Sequence, residues 1–109
     1  MTARYTPEEI KYYNIHRDRA CERLGINQSL YNWGRRKAEE LRKVYEADCN
    51  GMFQEEGERD SITEPIEKAI VAKFAGLHVY FQGDCRGATL YVDTEPISDS
   101  AYTNAVCIY

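Results

Sequence analysis

The sequence predicts an α+β fold: three helices, the second long, packed on a small antiparallel sheet made of a hairpin and a C-terminal strand. Three observations predict it. Residues 77–93 read as two short arms rich in Val, Tyr, Phe, Thr and Leu around the turn sequence Gly83-Asp84-Cys85-Arg86-Gly87. Three upstream stretches repeat apolar residues at helical spacing, each behind a polar capping residue. Residues 104–109, Asn-Ala-Val-Cys-Ile-Tyr, return to strand composition. That third strand belongs beside the hairpin, because two strands alone are marginal in water. A chain of 109 residues makes one domain, with a helical half at 1–76 and a β half at 77–109.

The first helix spans residues 7–24. Thr6 offers a hydroxyl cap, Pro7 suits the first turn, and Glu8 and Glu9 sit at the positive end of the helix dipole. Ile10, Tyr13, Arg17, Ala20, Cys21 and Leu24 form its stripe, Gly25 closes it, and a break near Asn14 is an alternative. The second helix carries Ala38, Leu41, Val44 or Tyr45, Asp48 and Cys49 in helical register, with Glu-to-Arg/Lys pairs outside, and stops at Gly51. Residues 51–61 are acidic, glycine-bearing and aperiodic, hence a loop. Ser61 or Thr63 then caps a third helix with Pro65 in its first turn. Its stripe is Ile62, Ile66, Ala69, Ile70, Lys73 and Phe74, ending at Gly76. Residues 94–103 are polar and contain Pro96, so they form a surface loop.

Within the hairpin, Asp84 opens a turn by accepting backbone N–H bonds, and Gly87 closes a three-residue loop with a bulge. That register sets Phe81 opposite Tyr91 and Tyr80 opposite Val92. Ala88, Leu90 and Val92 then face the core, leaving Phe81 and Tyr91 as an aromatic pair for a partner. A slip of one residue exchanges the faces.

Charge is unevenly spread. Residues 1–46 carry +3 and residues 47–109 carry −7, for a net −4. A basic helical half and an acidic sheet half imply a dipolar fold or two contact surfaces, and the net sign argues against wholesale coating of nucleic acid. Cys21, Cys49, Cys85 and Cys107 show no metal-ligand spacing, so no metal is expected; they read as reduced thiols. No apolar run approaches the ~20 residues of a membrane span. No membrane contact is expected, and the host cytoplasm is the expected location.

Residues 20–33, Ala-Cys-Glu-Arg-Leu-Gly-Ile-Asn-Gln-Ser-Leu-Tyr-Asn-Trp, resemble the helix-turn-helix of transposase and repressor families. The resemblance makes Gly25 the turn glycine and Asn27 the cap of a recognition helix. Gln28, Ser29, Asn32, Arg35 and Arg36 become candidates for bases and phosphates, and Lys37 completes a basic cluster. A plain helix hairpin explains the same residues. A second likeness covers residues 36–93. Tyr45-Glu46-Ala47-Asp48-Cys49-Asn50-Gly51, then a helix, then the Gly-Asp-x-Arg-Gly hairpin, is similar to a family of small phage and prophage proteins of unassigned function. Cys85 stands where that family usually has Pro. The likeness implies a phage or mobile-element origin and names no reaction.

No catalytic pairing emerges. His78 and Cys85 lie about 20 Å apart along an extended arm, and His16 and Cys21 do not face each other on one helix. Asp84 and Arg86 suit turn chemistry and a local ion pair, and no phosphate-cradling loop or cofactor motif appears. The expectation is a non-catalytic phage-type accessory, of the anti-CRISPR or host-takeover kind, that binds a host or defence protein. Glu55, Glu56, Glu58, Asp84, Asp93, Glu95 and Asp99 would dock a basic surface, with Phe81, Arg86 and Tyr91 beside them. The alternative is a DNA-binding regulator using residues 28–37. Nine tyrosines add contact area. Tyr12, Tyr13, Tyr31, Trp33, Tyr91 and Tyr109 divide between packing and partner contact.

Overall fold

Helix α1 (Pro7–Leu24) starts because the Thr6 hydroxyl accepts the Glu9 N–H at 3.1 Å, and it stops at Gly25, whose φ of +68° suits a residue without a Cβ. It runs unbroken through Asn14. Helix α2 (Gln28–Cys49) starts on Asn27, whose side chain accepts the Leu30 N–H at 2.8 Å. Its buried stripe is Tyr31, Gly34, Ala38 and Leu41. The computed structural model that gives this architecture describes residues 5–84, 86–98 and 104–109. Cys85 and Asp99, named above, lie outside the described residues.

Helix α3 (Glu58–Lys73) begins one turn earlier than its cap signals imply. Gly57 in the left-handed conformation precedes it, and the Glu58 carboxylate folds back to accept the N–H groups of Gln54 and Glu55 at 3.1 and 3.4 Å. Pro65 therefore sits inside the helix, and Thr63 is buried there with its hydroxyl toward the Asp60 carbonyl. Local propensity placed the start at Ser61 or Thr63; acids favourable at a helix N-terminus draw it back to Glu58 and Asp60.

Strands β1 (His78–Asp84), β2 (Gly87–Asp93) and β3 (Val106–Cys107) form one antiparallel sheet in the order β1-β2-β3. The register differs by one residue from the sequence expectation. Tyr80 pairs with Tyr91, Phe81 with Leu90 and Asp84 with Gly87, so the loop holds two residues and not three. The Asp84 carboxylate accepts the Arg86 N–H at 2.7 Å and tightens the turn. Phe81 is thereby moved from the partner face to the helix-packed face, with Val79, Ala88, Leu90 and Val92. Tyr80 takes its place beside Tyr91, with ring centroids 6.1 Å apart. Gly83 helps decide the register. Tyr45 of α2 presses against it so closely that a Cβ there would lie 2.3 Å from the ring.

Beyond Cys107 the last strand bulges. The N–H groups of Ile108 and Tyr109 both reach the Leu90 carbonyl, at 2.8 and 3.4 Å, while the Leu90 N–H reaches the Tyr109 carbonyl. The bulge lets Ile108 sink fully into the core while Tyr109, half-buried, still packs against it. Leu24, Tyr31, Leu41, Ile70, Phe74, Leu90, Val92 and Ile108 make a single cluster between the three helices and one face of the sheet. Gly34 is a second point of close approach, where α2 meets Phe74 and Ile108.

Candidate protein-docking surface

The stripe that seats α1 does not end where the body ends. Ala20 and Leu24 are buried and Cys21 half-buried, but Tyr13 and Ile10, further up the same line, are increasingly exposed. Ile10 is 47% exposed, and Tyr5 and Tyr12 reach 68% and 72%. The N-terminal turns of α1 overhang the body and leave a groove of about 500 Å³ lined by Tyr5, Glu9, Ile10, Tyr13 and Arg35. Ile15 adds to the exposed apolar set.

Tyr13 anchors the base of this groove. Its ring meets Tyr31 edge-on at 6.3 Å, its hydroxyl donates to Asn32 Oδ1 at 3.2 Å, and the Arg35 guanidinium lies 5.2 Å from its centroid. Arg35 is itself fixed. Its Nη1 donates to the Ile108 carbonyl at 2.7 Å and its guanidinium also stacks on Tyr109 at 5.2 Å. Around it, Glu39 accepts from the Tyr109 hydroxyl and from Arg42, and the Arg42 hydrogen bond holds the Glu39 carboxyl below its usual range.

These contacts sort the helix-turn-helix candidates. Arg35 and Asn32 are engaged inside the molecule. Lys37 pairs with Glu40 at 3.0 Å and, with Lys73, flanks Trp33 at 5.8 Å. Gln28 reaches toward Asp18 at 3.4 Å. Ser29 and Arg36 are exposed, with no side-chain hydrogen bond or ion pair among the described residues. The turn between α1 and α2 packs against the end of α3, with Leu24, Ile26, Phe74 and Leu77 lining the junction.

The acidic set is dispersed. Glu55, Glu56 and Glu58 are exposed at the α2–α3 connection, where Glu58 is occupied as a turn acceptor. Asp84 and Arg86 sit at the hairpin tip near Arg42 and Glu46 of α2. Asp93 and Glu95 lie at the other end of β2, about 20 Å away at ~3.3 Å per residue. Asp93 caps the Thr94 N–H at 2.7 Å and faces Arg23 at 3.5 Å. One flat acidic face is therefore not formed.

The tyrosines and histidines also separate. Tyr31 is wholly buried, its hydroxyl lies near Arg35 but meets no partner at hydrogen-bonding geometry among the described residues, and burial pushes its pKa up. His16 bonds the Cys107 carbonyl at 2.9 Å, which ties α1 to β3 and leaves Cys21 out of any pairing with it. Cys21 and Cys107 are free thiols, each pushed up chiefly by burial. Cys49 is disulfide-bonded, in contrast to the reduced thiol expected of it. Among the described residues no group of His, Cys, Asp and Glu could hold a metal ion, and no helix is long and apolar enough to cross a membrane.

Sequence reasoning identified the α1 stripe and left Tyr12 and Tyr13 divided between packing and partner contact, but did not mark Ile10 as exposed. The missing signal was coverage: α2 is the longer helix, with 22 residues to 18 in α1, yet only Ala20 and Leu24 of the stripe are buried, and periodicity does not say which part of a stripe a neighbour covers. Set against family models, curated proteins and solved structures, the chain matches none, so its function is argued from its own surfaces.

Proposed function

We propose that this chain is a non-catalytic accessory protein of phage or mobile-element kind that acts by docking on a host or defence protein. The observation that carries the docking is the overhanging stripe of α1. Its Ile10 and Tyr13, with Tyr5 just before the helix, stand exposed beside an arginine already held in place. Aromatic residues, isoleucine and a fixed arginine around a concave site are the composition of interface centres, where little side-chain freedom is left to lose. The acids Glu55, Glu56, Glu58, Asp84, Asp93 and Glu95 act at longer range, favouring a basic partner as it approaches. The phage-like origin rests on the Cys49-Asn50-Gly51 helix end and the Gly-Asp-x-Arg-Gly hairpin.

The test places a photo-crosslinking amino acid at Tyr5, which lines the groove, and captures adducts from bacterial lysate, with and without nuclease. A discrete protein adduct that survives nuclease and falls about tenfold with Ile10→Asp supports the reading. An adduct abolished by nuclease, or lost on Arg36→Ala but kept with Ile10→Asp, overturns it in favour of nucleic-acid binding through residues 28–37.

A further inference from the structure

The sheet has a second surface with a distinct chemistry. Strand β1 is terminal in the order β1-β2-β3, so among the described residues it pairs with a strand on one side only. Leu90 turns its backbone toward β3, donating to Tyr109 at 3.2 Å and accepting from Ile108 at 2.8 Å. In an antiparallel ladder a residue's N–H and C=O address the same neighbour, so Phe81, opposite Leu90, sits in a non-hydrogen-bonded pair. Phe81 therefore directs its N–H and C=O away from β2, and by alternation so do Val79 and Gly83. Edge strands are ordinarily guarded by proline, lysine or a bulge. His78-Val79-Tyr80-Phe81-Gln82-Gly83-Asp84 has neither proline nor lysine, and its register with β2 is continuous.

Alongside this edge runs a groove of about 550 Å³ lined by Glu64, Glu67, Lys68, Val71 and Ala72 of α3 and by Phe81. Val71 is 52% exposed and lines this groove with Ala72 and Phe81. Two carboxylates and one lysine, Glu64, Glu67 and Lys68, lie along its α3 wall. The Glu67 carboxyl is pushed up by burial and by Asp60 and Glu64, so an added cation there relieves a local excess of negative charge.

We infer that this groove takes an extended segment of a partner protein as a fourth strand on β1. The segment carries an apolar residue against Phe81 and Val71 and, two positions along on the same face, a lysine or arginine beside Glu64 and Glu67. The main-chain groups of Val79, Phe81 and Gly83 supply affinity, and the alternate side chains supply selectivity. This surface is separate from the α1 groove and stands whether or not that groove docks a host protein.

The probe is a fluorescein-labelled octapeptide, Thr-Val-Thr-Lys-Thr-Val-Thr-Lys, titrated by anisotropy and by amide chemical shift on the full chain. The shifts are expected to centre on Val79, Phe81 and the facing residues of α3. Methylating the peptide nitrogens that face β1, or replacing both lysines by glutamate, is expected to weaken binding about tenfold. Val71→Asp, at an exposed position that spares the core, is expected to do the same. Binding that ignores nitrogen methylation is charge adhesion and overturns the inference, as does the absence of any binding at millimolar peptide. Protection of the Phe81 amide that grows with protein concentration alone means a second copy closes the edge, and overturns it too.

Discussion

Gly83→Ala is the substitution that interrogates the fold most directly. The new methyl would stand 2.3, 2.7 and 2.8 Å from Cε2, Cδ2 and Cζ of Tyr45, where carbon–carbon contacts ordinarily settle near ~3.5–4 Å. The ring must retreat by about 1 Å or more. It is half-buried and has the Arg59 guanidinium 5.1 Å from its centroid, so it does not move freely. Overpacking of this kind costs ~1–3 kcal/mol. Replacing glycine in a strand returns ~0.5–1 kcal/mol of backbone entropy. The clash wins, for a net loss of about 1–2 kcal/mol. The assay is urea unfolding followed through Trp33, the only tryptophan of the chain. The midpoint should fall by roughly 1 M. In a Tyr45→Ala background the obstacle is gone, and the same substitution should be neutral or stabilising by about 0.5 kcal/mol. Equal cost in both backgrounds would refute the claim that Tyr45 packing sets the need for glycine and, with it, the register of the hairpin.

Three further outcomes follow from the geometry. Tyr31→Phe removes a fully buried hydroxyl that meets no partner at hydrogen-bonding geometry among the described residues, and should leave the protein as stable or up to about 1 kcal/mol more stable, read by thermal unfolding; a loss above that size would reveal a bond from the neighbouring Arg35. Arg35→Ala should cost about 2 kcal/mol, because it strips a charge-assisted bond from the Ile108 carbonyl and two ring contacts, whereas Arg36→Ala should cost under about 0.5 kcal/mol. Equal effects on unfolding would remove the structural role given to Arg35. Burial raises the pKa of Cys21, Cys107, Tyr31 and Tyr45. The unfolded chain therefore loses these protons first, near pH ~8.5 for thiols and ~10 for phenols. Stability is fully present below those values and declines as pH rises through them. A melting temperature that stays level or climbs between pH 8 and 10.5 would contradict the buried placement of these groups.

The α1 and α2 boundaries were legible because caps and stops are local chemistry. Thr6, Gly25 and Asn27 act within four residues of themselves, so their meaning does not depend on the rest of the chain. The start of α3 was misread for a related reason: several residues between Gly57 and Thr63 could open a helix, and the choice fell to Glu58 folding back on Gln54 and Glu55. The nucleic-acid candidates looked alike in one dimension, but a contact 73 residues away separates Arg35 from Arg36.

By itself the order of residues determined the fold class, the three helices and the existence of the hairpin, since each follows from periodicity, capping and turn preference. Tertiary structure alone decided the one-residue register, because side chains alternate with a period of two and only the fit of Tyr45 over Gly83 and of Phe81 into the core tells the two faces apart. It also decided how much of the α1 stripe is covered and which strand is left at the edge of the sheet. Exposure belongs to the assembled body, and no window of sequence contains it.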